Sequence, residues 1–275
     1  MKYLCQNKPL VVIRGAGDLA SGVAYRLTKC GLDVLMTEIS RPLVVRRTVS
    51  FAEAVYEGSV NVEGVEACLA ESVEHALDLL KKNILPVLID PEALVLKQLS
   101  PIAVVDARIA KRNLGTTIND APLVIGLGPG FYAGEDVHAA IETCRGHRLG
   151  RVIYSGGAIP DTGSPGAIDG HTWGRLLSAP VEGTMLPCRS IGELVEEGDV
   201  VAHVDTAPVK ASISGTIRGM LKEGVRVPKG TKIGDIDPRK DAEYDTISDK
   251  ALAVGGGVLE VVFHFLAALE EKDKN

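Results

Sequence analysis

The stretch Leu10 to Gly22, LVVIRGAGDLASG, restricts the fold more than any other part of the chain. The apolar run Leu10–Ile13 ends in a glycine-rich turn. That turn opens an amphipathic helix with Leu19, Val23, Leu27 and Cys30 on one side. Gly31 stops the helix, and the run from Asp33 to Thr37 reads as a second strand ending at Glu38. Strand, Gly-x-Gly-x-x-Ala, helix, strand and an acid about 20 residues on form the dinucleotide-binding pattern in its proper context. Gly15 permits a tight turn, Gly17 admits a pyrophosphate close to the backbone, and Ala20 keeps the helix near the sheet. The helix start, through Ala16, Asp18, Leu19 and Ser21, offers N–H groups and a positive dipole end to phosphates.

Glu38 is placed to accept hydrogen bonds from a ribose diol, which favours NAD, while Arg41 nearby suits the 2′-phosphate of NADP. Asp18 argues the other way, because its charge suits the helix dipole but repels a pyrophosphate if it points inward. A plain α/β turn without a ligand is the alternative. Arg46 and Arg47 follow in a short window with Arg41, as a bidentate clamp for phosphate or carboxylate or as solvated charge. A short helix is expected from Ser50 to Tyr56.

Further on, Val60 to Ala67 alternates as short strands, and Ser72 caps a helix running to Asn83. Ile84–Ile89 and Ile102–Val105 read as buried strands, with a short helix from Glu92 to Leu99 between them. Asp106, Arg108, Lys111 and Arg112 lie just past a strand end, where open α/β sheets bind ligands, or belong to a solvated loop. Pro122–Ile125 then runs into Gly126-Leu-Gly128-Pro-Gly130-Phe131, and a helix is expected from about Glu135 to Cys144. Two glycine-rich strand-to-helix turns at one sheet edge would face each other across a crevice. Gly126, Gly128 and Gly130 therefore join the expected cofactor site, with a sharp turn made by Pro129 and the glycines as the alternative.

The chain's 275 residues, 45% hydrophobic and only 4% aromatic with 30 glycines, fit an α/β protein with tight turns. A net charge of −6 gives no electrostatic reason to expect nucleic acid or an anionic membrane. Five scattered cysteines without a C-x-x-C make a disulfide framework or zinc knuckle unexpected and a reducing cytoplasm the default. No metal site is expected. The most hydrophobic window, Leu252–Leu269, holds three glycines, Glu260 and His264, so it reads as a buried helix and not a membrane span. Three glycines inside a helix cost about 1 kcal/mol each, which places its start after them, at Val258. Burial against the N-terminal sheet would return it to the first domain.

Between Gly156 and Gly170 seven of fifteen residues are Gly or Pro, marking a boundary or a long loop that carries Asp161 and Asp169, with His171 beside it. Beyond it lies an internal repeat. Ala179–Met185 matches Ala211–Ile217 at an offset of 32, and the same offset pairs Gly192 with Gly224, Val195 with Val227, Gly198 with Gly230 and Val204 with Ile236. Two such β halves make a compact sandwich, and their glycine turns resemble the hammerhead motif of the biotinyl/lipoyl superfamily. The connection His203–Lys210 lacks the exposed-hairpin lysine motif, so no biotin or lipoate is expected.

The segments VVIRGAGDLASGVAYRL, MTEISRP, RRTVSFAEAVYEG, VDARIAKRN, IGLGPGF, SGTIRGMLKEG and KIGDIDPR together resemble the YqeB family. That resemblance covers nearly the whole chain. It implies an accessory protein of selenium-dependent molybdenum hydroxylases, handling the molybdenum cofactor, a nucleotide derivative of it, or its selenium or sulfur ligand. The expected fold is α/β: a Rossmann-like parallel sheet over 1–160, a barrel-sandwich (biotinyl/lipoyl-like) over 174–238 and a returning helix over 249–272. The expected partners are a small nucleotide ligand and the hydroxylase, with a homo-oligomer left open. An NAD(P)-dependent oxidoreductase and a non-catalytic docking scaffold are the alternatives, and no catalytic residue is identifiable.

Overall fold

The computed structural model describes residues 8–161, 163 and 173–272. Two compact units divide the chain: Met1–Ser40, Phe51–Asp161 and Ile247–Asn275 form the first, Arg41–Ser50 and Thr162–Thr246 the second. Asp169 and His171 lie outside the described residues, whereas Asp161 pairs with Lys111 at 2.7 Å.

The first unit contains β1 (Leu10–Arg14), β2 (Asp33–Glu38), β3 (Ser59–Val62), β4 (Val65–Ala70), β5 (Leu85–Ile89) and β6 (Ala103–Asp106). It continues with β7 (Leu123–Leu127), β8 (Tyr132–Ala133), β9 (Ala139–Ile141), β10 (Val152–Ile153) and β11 (Gly156–Gly157). Its helices are α1 (Asp18–Lys29), α2 (Ala54–Glu57), α3 (Val73–Lys81) and α4 (Asp249–Lys272). Nine strands form one sheet in the order β10-β9-β7-β6-β1-β2-β5-β4-β3, while β8 and β11 make a separate ribbon. The strands from β9 to β4 run parallel, and β10 and β3 close the two edges antiparallel. Val12 pairs with Leu35 and Val104 on its two neighbouring strands, and with Leu88 of β5 they form a core with Ala76 and Leu79 of α3. Their β-branched and leucine side chains suit a sheet covered on that face.

This architecture corrects the expected Rossmann-like sheet. It is mixed rather than parallel, and no helix crosses over between β6 and β7 or between β7 and β9. The helix expected over 135–144 is instead the strand β9, paired parallel with β7 and antiparallel with β10. Val137, Ile141 and Cys144 have helical spacing, but a short apolar run satisfies either period and sheet pairing decides it. The helix expected over 92–99 is a single 3₁₀ turn, Leu94–Lys97, and Ser50–Tyr56 is covered by the 3₁₀ turn Phe51–Glu53 followed by α2.

A second correction concerns α4, which begins at Asp249 and runs through the three glycines. A Cβ on Gly22 of α1 would lie 2.7 Å from Ala251, and one on Gly255 would lie 2.7 Å from the Gly22 carbonyl. Gly257 faces Gly150 and Ile141 in the same way. Gly22 and Gly255 let the two helix backbones come together, and that packing offsets their poor helix propensity. By length and composition alone α4 would also cross a membrane; here its buried side includes Val254, Val258 and Val262.

The second unit holds β12 (Leu176–Ser178), β13 (Gly183–Pro187), β14 (Leu194–Val195), β15 (Val200–Val204), β16 (Ala207–Lys210), β17 (Gly215–Met220), β18 (Arg226–Val227) and β19 (Lys232–Asp237). They form two four-stranded sheets, β12-β19-β17-β14 and β16-β15-β13-β18, antiparallel throughout. Shifting each strand by the 32-residue offset turns one strand order into the other. The paired glycines 192 and 224, and 198 and 230, all have φ between 80° and 95°. What the structure shows is thus a mixed nine-stranded sheet with helices, and two antiparallel sheets exchanged by a repeat. It does not show the expected pairing of a Rossmann-like domain with a biotinyl/lipoyl-like barrel-sandwich.

Candidate functional site

The expected ligand loop joins β1 to α1. Gly15 has φ of 98°, and a Cβ there would sit 3.2 Å from the Ala107 carbonyl group, so glycine is required by a close backbone approach to the segment after β6. The Gly15 N–H donates to the Thr37 carbonyl at 2.8 Å, and the Ala16 N–H donates to Glu38 Oε2 at 2.8 Å. Glu38 Oε1 accepts its neighbour's N–H, from Ile39, at 2.8 Å. The carboxylate that the sequence offers to a ribose therefore caps its own loop. Ser21 is equally committed: its hydroxyl donates to the Gly17 carbonyl at 2.9 Å and accepts the Phe51 N–H at 2.8 Å. Ala16 and Ala20 are buried.

What stays open is the first turn of α1. Gly17 is the N-cap, no side chain caps the helix, and Gly17, Asp18 and Leu19 are half-buried. The first N–H groups of such a helix have no intrahelical acceptor. Beside them Asp18 Oδ1 is buried without a hydrogen-bond partner. The half-buried Lys250, in the first turn of α4, lies within electrostatic reach of Arg145, Asp18, Cys144 and Glu142. Burial, followed by repulsion from Arg145, holds its ammonium below the usual lysine range. Arg145 itself forks onto Asp249 at 2.7 and 2.9 Å. Glu142 is buried and fixed by the N–H groups of Cys144 (2.7 Å) and Ile159 (2.8 Å).

The second glycine turn follows β7 and leads into the ribbon strand β8. Each of its glycines is explained by packing. A Cβ on Gly126 would meet the Phe131 ring at 2.4 Å, one on Gly128 the Thr143 hydroxyl at 2.6 Å, and one on Gly130 the Arg112 backbone at 2.5 Å. Since no helix starts there, the turn has no dipole to offer an anion. Both glycine turns press on the same segment, Ala107–Arg112, whose Ile109 and Lys111 adopt left-handed φ values of 54° and 62°. For a β-branched residue such as Ile109 that conformation is strained.

Between the two turns, at the ends of β1 and β6, sits a buried ionic network. Arg108 donates to Asp106 through Nε at 3.1 Å and Nη2 at 2.5 Å, and the Thr116 hydroxyl donates to the same carboxylate at 2.6 Å. Arg14 Nη1 donates to Thr116 at 2.8 Å and stands 3.8 Å from Asp120. Asn113 clamps Thr116 through both its N–H and carbonyl at 2.8 Å. Burial works to raise Asp106, but the Arg108 and Thr116 hydrogen bonds outweigh it and hold the carboxyl below its ordinary value. Arg14 is pushed down by burial and then by Arg108. Two guanidinium groups face two carboxylates, so the network neutralises itself.

Arg46 belongs to the other unit, where its Nη2 donates to the Thr246 carbonyl at 3.2 Å. Lys250 and Arg145, which flank the α1 N-terminus, were not singled out from sequence. They lie far along the chain, and the only signal was a lysine at the start of the apolar C-terminal run. Among the described residues no group of three or more His, Cys, Asp or Glu is arranged to hold a metal.

Fold and site together define a mixed-sheet α/β protein whose most receptive feature is an uncapped helix start beside a lysine. The chain is 53% identical over 254 residues to the uncharacterized protein YqeB of Escherichia coli (strain K12), which supports the YqeB family. The match takes in 92% of this chain but 47% of that protein, so the chain spans about half the length of the curated relative. No family model matches. Among solved structures it is similar to an aspartoacylase family protein from Mesorhizobium loti, at 14% identity and a TM-score of 0.26 over 84% of this chain and 85% of that one. A succinylglutamate desuccinylase/aspartoacylase from Rhodobacter sphaeroides gives 15% identity and a TM-score of 0.26 over the same shares. It is the mixed nine-stranded sheet, without crossover helices after β6 and β7, that corrects the expected description of the chain as an NAD-binding Rossmann protein.

Proposed function

We propose that this chain is a cytoplasmic, nucleotide-binding accessory protein that serves the maturation of a selenium-dependent molybdenum hydroxylase. One observation carries the ligand half of this reading. The α1 N-terminus presents donors without acceptors, and Asp18 Oδ1 beside it is a buried acceptor without a donor. A ligand bearing both a phosphate and a hydroxyl, as a nucleotide does, satisfies both. The phosphate takes the helix N–H groups and the Lys250 ammonium, and a hydroxyl donates to Asp18. The resemblance to the YqeB family supports the maturation half.

Isothermal titration with ADP tests the ligand site. Lys250→Met and Gly17→Val are each expected to weaken ADP by about tenfold or more, the worth of one charge-assisted contact. Equal affinity in wild type and Lys250→Met removes the site from consideration. Complementation then separates the two halves. In cells lacking the native protein, Lys250→Met is expected to lower hydroxylase activity, and full activity with lost ADP binding overturns the maturation role.

A further inference from the structure

The second unit carries a thiol–imidazole pair that the proposed function does not use. Cys188 Sγ and His203 Nδ1 are 3.2 Å apart. The ladder between β13 and β15 sets that distance, with Leu186 opposite His203 and Pro187 opposite Ala202, and the Cys188 N–H continues it onto the Val201 carbonyl at 2.9 Å. The pair is held by sheet register and not by a loop. Cys188 is exposed, His203 is half-buried, and Leu186 leaves 40% of its surface open on the same face.

The repeat provides an internal control. At the 32-residue offset the counterparts of Cys188 and His203 are Met220 and Asp235, both buried, Asp235 in an ion pair with Arg175 at 3.1 Å. The sheet fold therefore builds this position without a thiol or an imidazole. The other described cysteines have no imidazole partner. Cys144 Sγ points to the Arg145 carbonyl at 3.6 Å, and Cys68 stands beside Glu66, where burial and then the glutamate charge push the thiol up.

We infer that Cys188 and His203 form a thiol–disulfide exchange site that takes up small-molecule disulfides from solution. His203 Nδ1 accepts the Cys188 proton, and the thiolate attacks one sulfur of the incoming disulfide. A new bond forms between Cys188 Sγ and that sulfur while the disulfide bond breaks. The second sulfur leaves as a thiolate and takes a proton from the imidazolium or from water. One disulfide is exchanged for another, and no further oxidant is consumed.

The test is the rate of mixed-disulfide formation with glutathione disulfide at pH 7, followed by intact mass with the site mapped by peptide mass spectrometry. Cys188 is expected to be modified first, Cys188→Ser to lose that adduct, and an added thiol to reverse it. His203→Ala and His203→Asn are both expected to slow the reaction by at least about tenfold, and the asparagine variant retains a polar side chain should alanine fail to fold. A first adduct on any other cysteine, or an unchanged rate in the folded His203 variant, overturns the inference.

Discussion

Glu38 Oε2 accepts the Ala16 N–H at 2.8 Å, tying the end of β2 to the turn that precedes α1. The carboxylate also accepts the Ile39 N–H, so it bridges two backbone donors that would otherwise have no protein acceptor. Glu38→Ala is expected to lower stability by about 1–3 kcal/mol, the cost of stranding these donors, with Glu38→Gln intermediate because one oxygen remains. Urea denaturation measures both. An alanine variant as stable as wild type would mean that the carboxylate is held for a ligand and not for the turn.

The two helical glycines Gly22 and Gly256 give opposite expectations from the same substitution. Alanine is the better helix former by about 1 kcal/mol. At Gly256 nothing lies within 4 Å of the added Cβ, so Gly256→Ala is expected to stabilise by about 0.5–1 kcal/mol. At Gly22 the Cβ would meet the Ala251 backbone at 2.7 Å, and Gly22→Ala is expected to destabilise by about 1–3 kcal/mol. Finding the same sign for both would show that α1 and α4 do not approach as described.

The acid limb of stability should report on Asp106. Its folded value lies below the ordinary 3.8, so its contribution is complete above that value and is lost as pH falls through the lower folded one. Asp106→Asn is expected to be less stable at pH 7 by about 2–3 kcal/mol, less than a fully buried pair because Arg108 reaches solvent. The gap should narrow as pH falls below about 4. A gap that is constant from pH 7 to pH 3 would assign the loss to packing and not to charge.

Lys250 places a half-buried ammonium beside Arg145, and both burial and that neighbour disfavour its charge. Its folded value is lowered, so the unfolded chain binds the proton more tightly and stability rises as pH climbs through the folded value. Lys250→Met removes this penalty, and thermal melts at neutral pH are expected to show a higher midpoint than wild type while ADP binding falls. A lower midpoint would mark Lys250 as a structural group and detach it from the ligand site.

Local sequence determined the elements whose information lies within a turn or two of the chain. The strand–turn–helix from Leu10 to Glu38, its stop at Gly31, the Ser72 cap that accepts the His75 N–H, and the strands of the 32-residue repeat were all legible there. They rest on φ preferences, capping and periodicity, which act between near neighbours. Tertiary structure decided everything that depends on a partner far along the chain. Residues 139–141 became a strand because β7 and β10 offered ladder partners, and α4 carries Gly255 where it meets the Gly22 carbonyl of α1. The glycines of the two turns proved to be shaped by Phe131, Thr143 and the Ala107–Arg112 backbone, contacts that a motif cannot contain. The receptive helix start acquired Lys250 from more than 200 residues away, because α4 packs on α1 with its first turn near Asp18. A sequence pattern lists which groups are present, but only packing decides which of them are already used by the protein itself.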